Sequence, residues 1–279
     1  TSLLGTLLGS ANSVLIPAKL VEGGMTLSVA MAEFGVLSGM TLPLLNLPTG
    51  FIGALCLVMV PDLSRRTARG DRRAAGGFLD RVMSATSLLM APAMALLTVI
   101  GPTVGAALFQ DERVGELILP LAVGTLLGCY QSVLSGALNG LGLQGKGARN
   151  AIISDVVQLA FTFFAVSRFG LAGFAAGFVV SGVAGAGLNL ASVLHAAELR
   201  VKAFQWFVRP VLAAVLMGVW CNLLFRVMLS AGTGHGWASL VCVVLGVVVY
   251  AAALLAQGLS VTDLFARFGG YIKRKRSAI

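Results

Sequence analysis

The 279 residues are 57% hydrophobic and 11% charged, with a mean hydropathy of +0.92. That excludes an ordinary soluble domain, whose charged share is about 25%. The net charge of +9 does not point to nucleic acid, because the basic residues fall in short blocks between apolar runs, where membrane topology accounts for them.

In chain order, residues 1–16 form an apolar run without the charged start or small-residue cleavage site of a signal peptide. The expectation is that an N-terminal part of the protein precedes them. This first span should end near Pro17, with Lys19 and Glu22 at an interface and residues 21–34 as an amphipathic connector. Residues 36–61 then carry no charged side chain, a stretch longer than the roughly 20 residues a helix needs to cross a bilayer. Pro43, Pro48, Gly50 and Gly53 predict a bent helix there. The basic collar of Arg65, Arg66, Arg69, Arg72 and Arg73 that follows marks a cytoplasmic face.

Six further apolar runs at 82–109, 117–143, 151–166, 171–194, 207–230 and 237–258 bring the expected count to eight spans. None alternates with period 2, which predicts an all-α, multi-pass membrane helical bundle and excludes a barrel. The breaks are expected at 110–113, 144–149, 167–170 and 231–236, with Trp206, Trp237 and Tyr271 as interfacial aromatics. With these spans, sixteen of the twenty Lys and Arg fall on one side and Lys19, Arg113, Arg168 and Arg226 on the other. The bias places the C-terminus and the start of the chain in the cytoplasm, with the basic tail at 273–276 near anionic lipid.

Catalytic chemistry is poorly represented. His195 and His235 are far apart in the topology, and no Ser/His/Asp set, HExxH or phosphate-binding loop occurs. The glycine run at 140–145 ends a span instead of joining a strand to a helix, so it is no dinucleotide fingerprint. Neither an enzyme nor a cofactor is expected. Cys56, Cys129, Cys221 and Cys242 sit in apolar runs without metal-ligand spacing and read as small hydrophobic residues.

What the spans do hold is a sparse polar set: Asn12, Asn46, Gln131, Asn139, Asp155, Gln158, Asn189 and Asn222. Each is costly against lipid and should face the bundle interior or a cavity. Asp155 is the only acid well inside an apolar run. With Gln158 three residues on and Asn150 and Ser154 nearby, it could bind a cation or carry a proton, or it could simply bond a neighbouring helix; the spacing leaves both open. Small-residue pairs such as Gly173/Gly177, Ser181/Gly185 and Gly124/Gly128 predict close helix packing, and the segments at 71–80 and 198–202 read as interfacial connectors.

The words SVLIPAKL (13–20), AEFGVLSGM (32–40), LPLLNLP (42–48), VPDLS (60–64), RGD (69–71) and LSGALNGLG (134–142) give the chain a resemblance to a known family. It resembles the stage V sporulation protein B and polysaccharide-exporter branch of the multidrug/oligosaccharidyl-lipid/polysaccharide flippase superfamily, to which lipid II flippases are related. The resemblance implies a MATE-like fold of fourteen spans, two six-helix lobes and a final pair. Residues 1–200 would be the second lobe, 201–279 the terminal pair, and the first lobe a partner not represented here. It also implies transport of a lipid-linked glycan, such as lipid II, across a bacterial plasma membrane, by lobes that rock about a central cavity. Lys19, Asn46, Gln131 and Asn139 would contact the head group, and Arg65 and Arg66 would stand at the cytoplasmic gate. Asn150, Asp155 and Gln158 would couple transport to H+ or Na+. A cation-coupled drug exporter and a non-transporting envelope scaffold are the alternatives.

Overall fold

The computed structural model describes residues 2–197 and 204–258. The expected boundary at 200 and 201, the connector at 198–202, Tyr271 and the basic tail at 273–276 lie outside the described residues.

Helix α1, Ser2–Glu22, runs straight through Pro17, where the first span was expected to end. A proline inside a helix removes one backbone donor, and a helix in lipid keeps its remaining bonds because no water can replace them. After a turn at Gly24, whose φ is +100°, one helical rod covers Leu27–Ala68. Its parts are α2 (Leu27–Gly35), a π-helical turn (Val36–Thr41), α3 (Leu42–Asn46), a 3-10 turn (Leu47–Thr49) and α4 (Gly50–Ala68). The expected connector is therefore largely the first part of this rod. Both irregular turns sit at the prolines that cannot donate: the wide turn just ahead of Pro43, the tight one around Pro48.

Helix α5, Arg72–Phe109, begins ten residues before the apolar run at 82, because Asp71 caps it by accepting a hydrogen bond from the Ala74 N–H at 2.9 Å. After a 3-10 turn at Glu112–Gly115 come α6 (Ile118–Gly140), α7 (Gln144–Phe169), α8 (Leu171–Ala197), a π-helical turn (Phe204–Val208), α9 (Arg209–Ser230) and α10 (His235–Ala256). Residues 144–149 are not a break. They open α7, and the chain turns instead at 141–143, where Gly142 has φ +75° and the Leu143 N–H bonds the Leu138 carbonyl at 2.8 Å.

Among the described residues there is no strand, and seven helices are long and apolar enough to cross a membrane. The fold is the expected all-α, multi-pass bundle. Helix α1 falls outside those seven, yet its 21 residues span about 30 Å and pack along α7. Lys19 meets Phe163 and Gly23 meets Ser167, four residues further along each helix, so the two run parallel in a constant register.

Glycines set the tight contacts. A Cβ on Gly173 would fall 2.6 Å from the Ala165 carbonyl, and one on Gly177 2.4 Å from Phe161 Cβ, so the α7–α8 hairpin closes only because both lack side chains. A separate core joins α9 and α10 to α5 through Leu88, Ala91, Ala213, Met217, Cys221 and Cys242. All four cysteines are free, and Cys221 and Cys242 each direct Sγ at the other's carbonyl, at 3.5 and 3.6 Å.

Trp206 is not an interfacial aromatic. It is 1% exposed, and its indole N–H donates to Asp80 at 2.5 Å. Phe207 packs edge-on to Tyr130, whose hydroxyl bonds Ser87 at 2.9 Å. The π-helical turn is thus tied to both α5 and α6.

Candidate transport cavity

Helices α4 and α6 run side by side and touch most closely where α6 presents Gly136 and Gly140. A Cβ at these positions would lie 2.9 Å from Met59 Cε and 2.9 Å from Leu63 Cβ. Alongside that crossing the helices line an open cavity of about 960 Å³. One wall runs from Asn46 and Thr49 through Gly53, Cys56 and Val60 to Pro61. The other is the α6 stripe Thr125, Gly128, Ser132, Ser135 and Asn139, with Gln131 beside it and Phe178 and Asn189 behind.

Three of the four residues expected to meet a head group, Asn46, Gln131 and Asn139, are therefore brought together. Their side chains, and those of Ser132 and Ser135, make no hydrogen bond among the described residues. In an apolar bundle such groups are tolerated where water or a ligand completes their bonding. Gly124 and Gly128 differ in purpose. A Cβ on Gly124 would strike the Phe178 ring at 2.3 Å, whereas Gly128 has nothing within 4 Å and widens the cavity.

Lys19 is elsewhere. It is 9% exposed, its ammonium donates to Glu22 at 2.6 Å, and it stands 3.7 Å from the centroid of Phe163. Its charge belongs to the α1–α7 seam and it does not line the cavity. Glu22 lies three residues on, so the pairing was readable from spacing.

Arg65 is exposed, one helical turn beyond Pro61, with a carboxylate oxygen of Asp62 at 3.9 Å. Arg66 lies 4.9 Å over the Phe78 ring of α5. Both flank the cavity's end without lining it.

The expected trio on α7 separates into two parts. Asn150 is fully buried and donates to Asn189 Oδ1 and Ser192 Oγ, both at 3.0 Å. Asn189 in turn donates to the Gln131 carbonyl at 3.2 Å, which fixes the back of the cavity. Ser154 donates to the Ser181 carbonyl at 2.8 Å, and Ser181 donates to Gln158 Oε1 at 3.1 Å. Asn150, Ser154 and Gln158 thus form one i, i+4, i+8 stripe turned toward α8.

Asp155 stands off that stripe, half-buried and without a hydrogen bond or ion pair among the described residues. Counting back equally along α1 and α7 from the Lys19–Phe163 contact brings Asp155 level with Ala11, beside Asn12. The Asn12 Oδ1 is buried and has no partner.

Thr125, Ser132, Ser135 and Cys56 were not anticipated as cavity residues. The i, i+3, i+7 spacing of Ser132, Ser135 and Asn139 was the available signal.

No family model matches the chain. The chain is similar to stage V sporulation protein B. The match to that Bacillus subtilis (strain 168) protein is 24% identical over 198 residues, covering 70% of this chain and 37% of the relative. The aligned segment is little more than a third of the relative's length, and no solved structure matches.

Proposed function

We propose that this chain forms one lobe of a membrane flippase or exporter that moves a lipid-linked glycan by alternating access. The observation that carries the reading is the open cavity between α4 and α6, whose wall gathers the uncommitted amides and hydroxyls of Asn46, Gln131, Ser132, Ser135 and Asn139 in an otherwise apolar bundle. The similarity to stage V sporulation protein B supports it. A polar head group cannot cross hydrocarbon unaided, because burying its charge and hydrogen-bonding groups costs many kcal/mol. Such a cavity substitutes for water around the head while the lipid tail stays in the bilayer.

In this reading the end that carries Arg65 and Arg66 is cytoplasmic, and a first lobe supplies the facing wall. Lipid II is one substrate of the right chemistry. Asp155 is the coupling group, with Asn12 on α1 as its neighbour and H+ or Na+ as the ion; Asn150 and Gln158 hold the α7–α8 seam. The test is a flip assay with the full-length protein in vesicles. Translocation of an undecaprenyl-diphosphate-linked glycan is the expected result. Drug antiport without lipid movement would favour a drug exporter, and neither activity would leave only a scaffold.

A further inference from the structure

The chemistry of the cavity wall narrows what it can hold. Among the described residues nineteen line it, and none of these is charged. Five of them, Asn46, Gln131, Ser132, Ser135 and Asn139, have side chains without a hydrogen-bond partner among the described residues. Each of the five is both donor and acceptor. Other polar lining groups are already engaged: Thr49 donates to the Asn46 carbonyl at 2.7 Å, Thr125 to the Leu121 carbonyl at 2.8 Å, and Asn189 to Gln131.

A diphosphate presents only acceptors and bears negative charge, and it is held best by guanidinium or ammonium groups. Amides and hydroxyls can donate to it, but they bring no charge to offset its own and leave their acceptor oxygens unmatched. The cations near this lobe do not line the wall: Lys19 is held by Glu22, Arg66 lies over Phe78, and Arg65 is beyond Pro61. A sugar, by contrast, offers hydroxyl and acetamido groups that donate and accept in equal measure. A cationic drug would call for a carboxylate or an aromatic cage, and the wall offers one ring, Phe178, and no acid.

Resting on the flippase reading, we propose that this wall is a sugar subsite. Gln131, Ser132, Ser135 and Asn139 of α6, with Asn46 opposite, bind the neutral hydroxyl and acetamido groups of the glycan, and the diphosphate is held outside this wall. The four α6 positions span about 12 Å, enough to follow one to two sugar rings.

The experiment measures binding of two lipids to the full-length protein in nanodiscs: undecaprenyl diphosphate, and the same lipid carrying N-acetylglucosamine. Two or three additional hydrogen bonds predict that the glycosylated lipid binds about tenfold to a hundredfold tighter. In Asn139→Leu and in Ser132→Ala/Ser135→Ala that gap shrinks, while affinity for undecaprenyl diphosphate is unchanged. Asn139 and Ser132 are exposed to the cavity, so both variants should fold, and a thermal melt confirms it. Equal affinity for the two lipids, or an equal loss for both in the variants, overturns the sugar subsite and leaves the flippase reading standing. Failure to bind either lipid removes both.

Discussion

Gly140→Ala tests the crossing that bounds the cavity. The added Cβ would lie 2.9 Å from Leu63 Cβ, 3.0 Å from Leu63 Cδ2 and 3.1 Å from the Val60 carbonyl oxygen. Carbon atoms rest comfortably at about 3.5–4.0 Å, so α4 and α6 would have to separate by about 0.6–1.1 Å. The nearest atoms include a Cβ and a backbone oxygen, which no rotamer change moves, and overpacking of this kind costs about 1–3 kcal/mol. Gly128→Ala is the matched control, since the same methyl group there meets open cavity, and alanine favours the helix by up to about 1 kcal/mol. Reversible unfolding in mixed micelles should show Gly140→Ala destabilised by about 1–3 kcal/mol and Gly128→Ala unchanged or slightly stabilised. Equal stability of the two variants would refute the α4–α6 packing described above.

Gly23→Ala places a Cβ 2.5 Å from the Ser167 carbonyl oxygen. It should loosen α1 from α7, seen as faster proteolysis near residue 23 and a lower melting temperature. Trp206→Phe removes the indole donor to Asp80 and should cost about 1.5–3 kcal/mol in the same unfolding assay, the range for a hydrogen bond to a charged group. Asp155→Asn should abolish the dependence of transport on H+ or Na+; a wild-type ion response would make Asp155 structural. At the end opposite Arg65, Arg113 bonds both Asp111 and Glu33, and its hydrogen bond holds the Asp111 carboxyl below the usual carboxylate range. A depressed acid stabilises the fold above the unfolded value of about 3.9 and loses that contribution as pH falls through the lower, folded value. The melting temperature should therefore carry a small, salt-sensitive fall confined to pH below about 4, absent in Arg113→Gln.

The spans were legible because lipid imposes one rule on every residue in them: a run without charge must be a helix. Their ends were less so. Asp71, as a helix cap, extended α5 well into a polar segment, and Gly142, with its positive φ, moved the α6–α7 turn ahead of the polar run at 144–149. Asn46, Gln131 and Asn139 could be selected as costly polar residues, and the structure gathers them, but their meeting depends on a crossing at Gly136 and Gly140 that no local period reveals. Lys19 lies apart from them: its ammonium meets Glu22, a pairing the spacing offered, and Phe163 on a distant helix, a contact that no local spacing reveals. Asn150, Asp155 and Gln158 were close enough in sequence to look like one cluster. Successive residues turn about 100° around a helix, so Asn150 and Gln158 went to α8 and Asp155 did not.

Transport by this lobe requires the space between α4 and α6 to be wet and reachable by substrate. Ser132→Cys in a Cys56→Ala/Cys129→Ala background puts a single thiol on that wall, and Val247→Cys, at a position 56% exposed on the outer face of α10, puts one against lipid. With the full-length protein in nanodiscs, a charged, membrane-impermeant thiol reagent should modify the Ser132→Cys thiol much faster than the Val247→Cys thiol, and a lipid-linked glycan should protect it. Labelling at 132 as slow as at 247, or unchanged by the glycan, would contradict the claim.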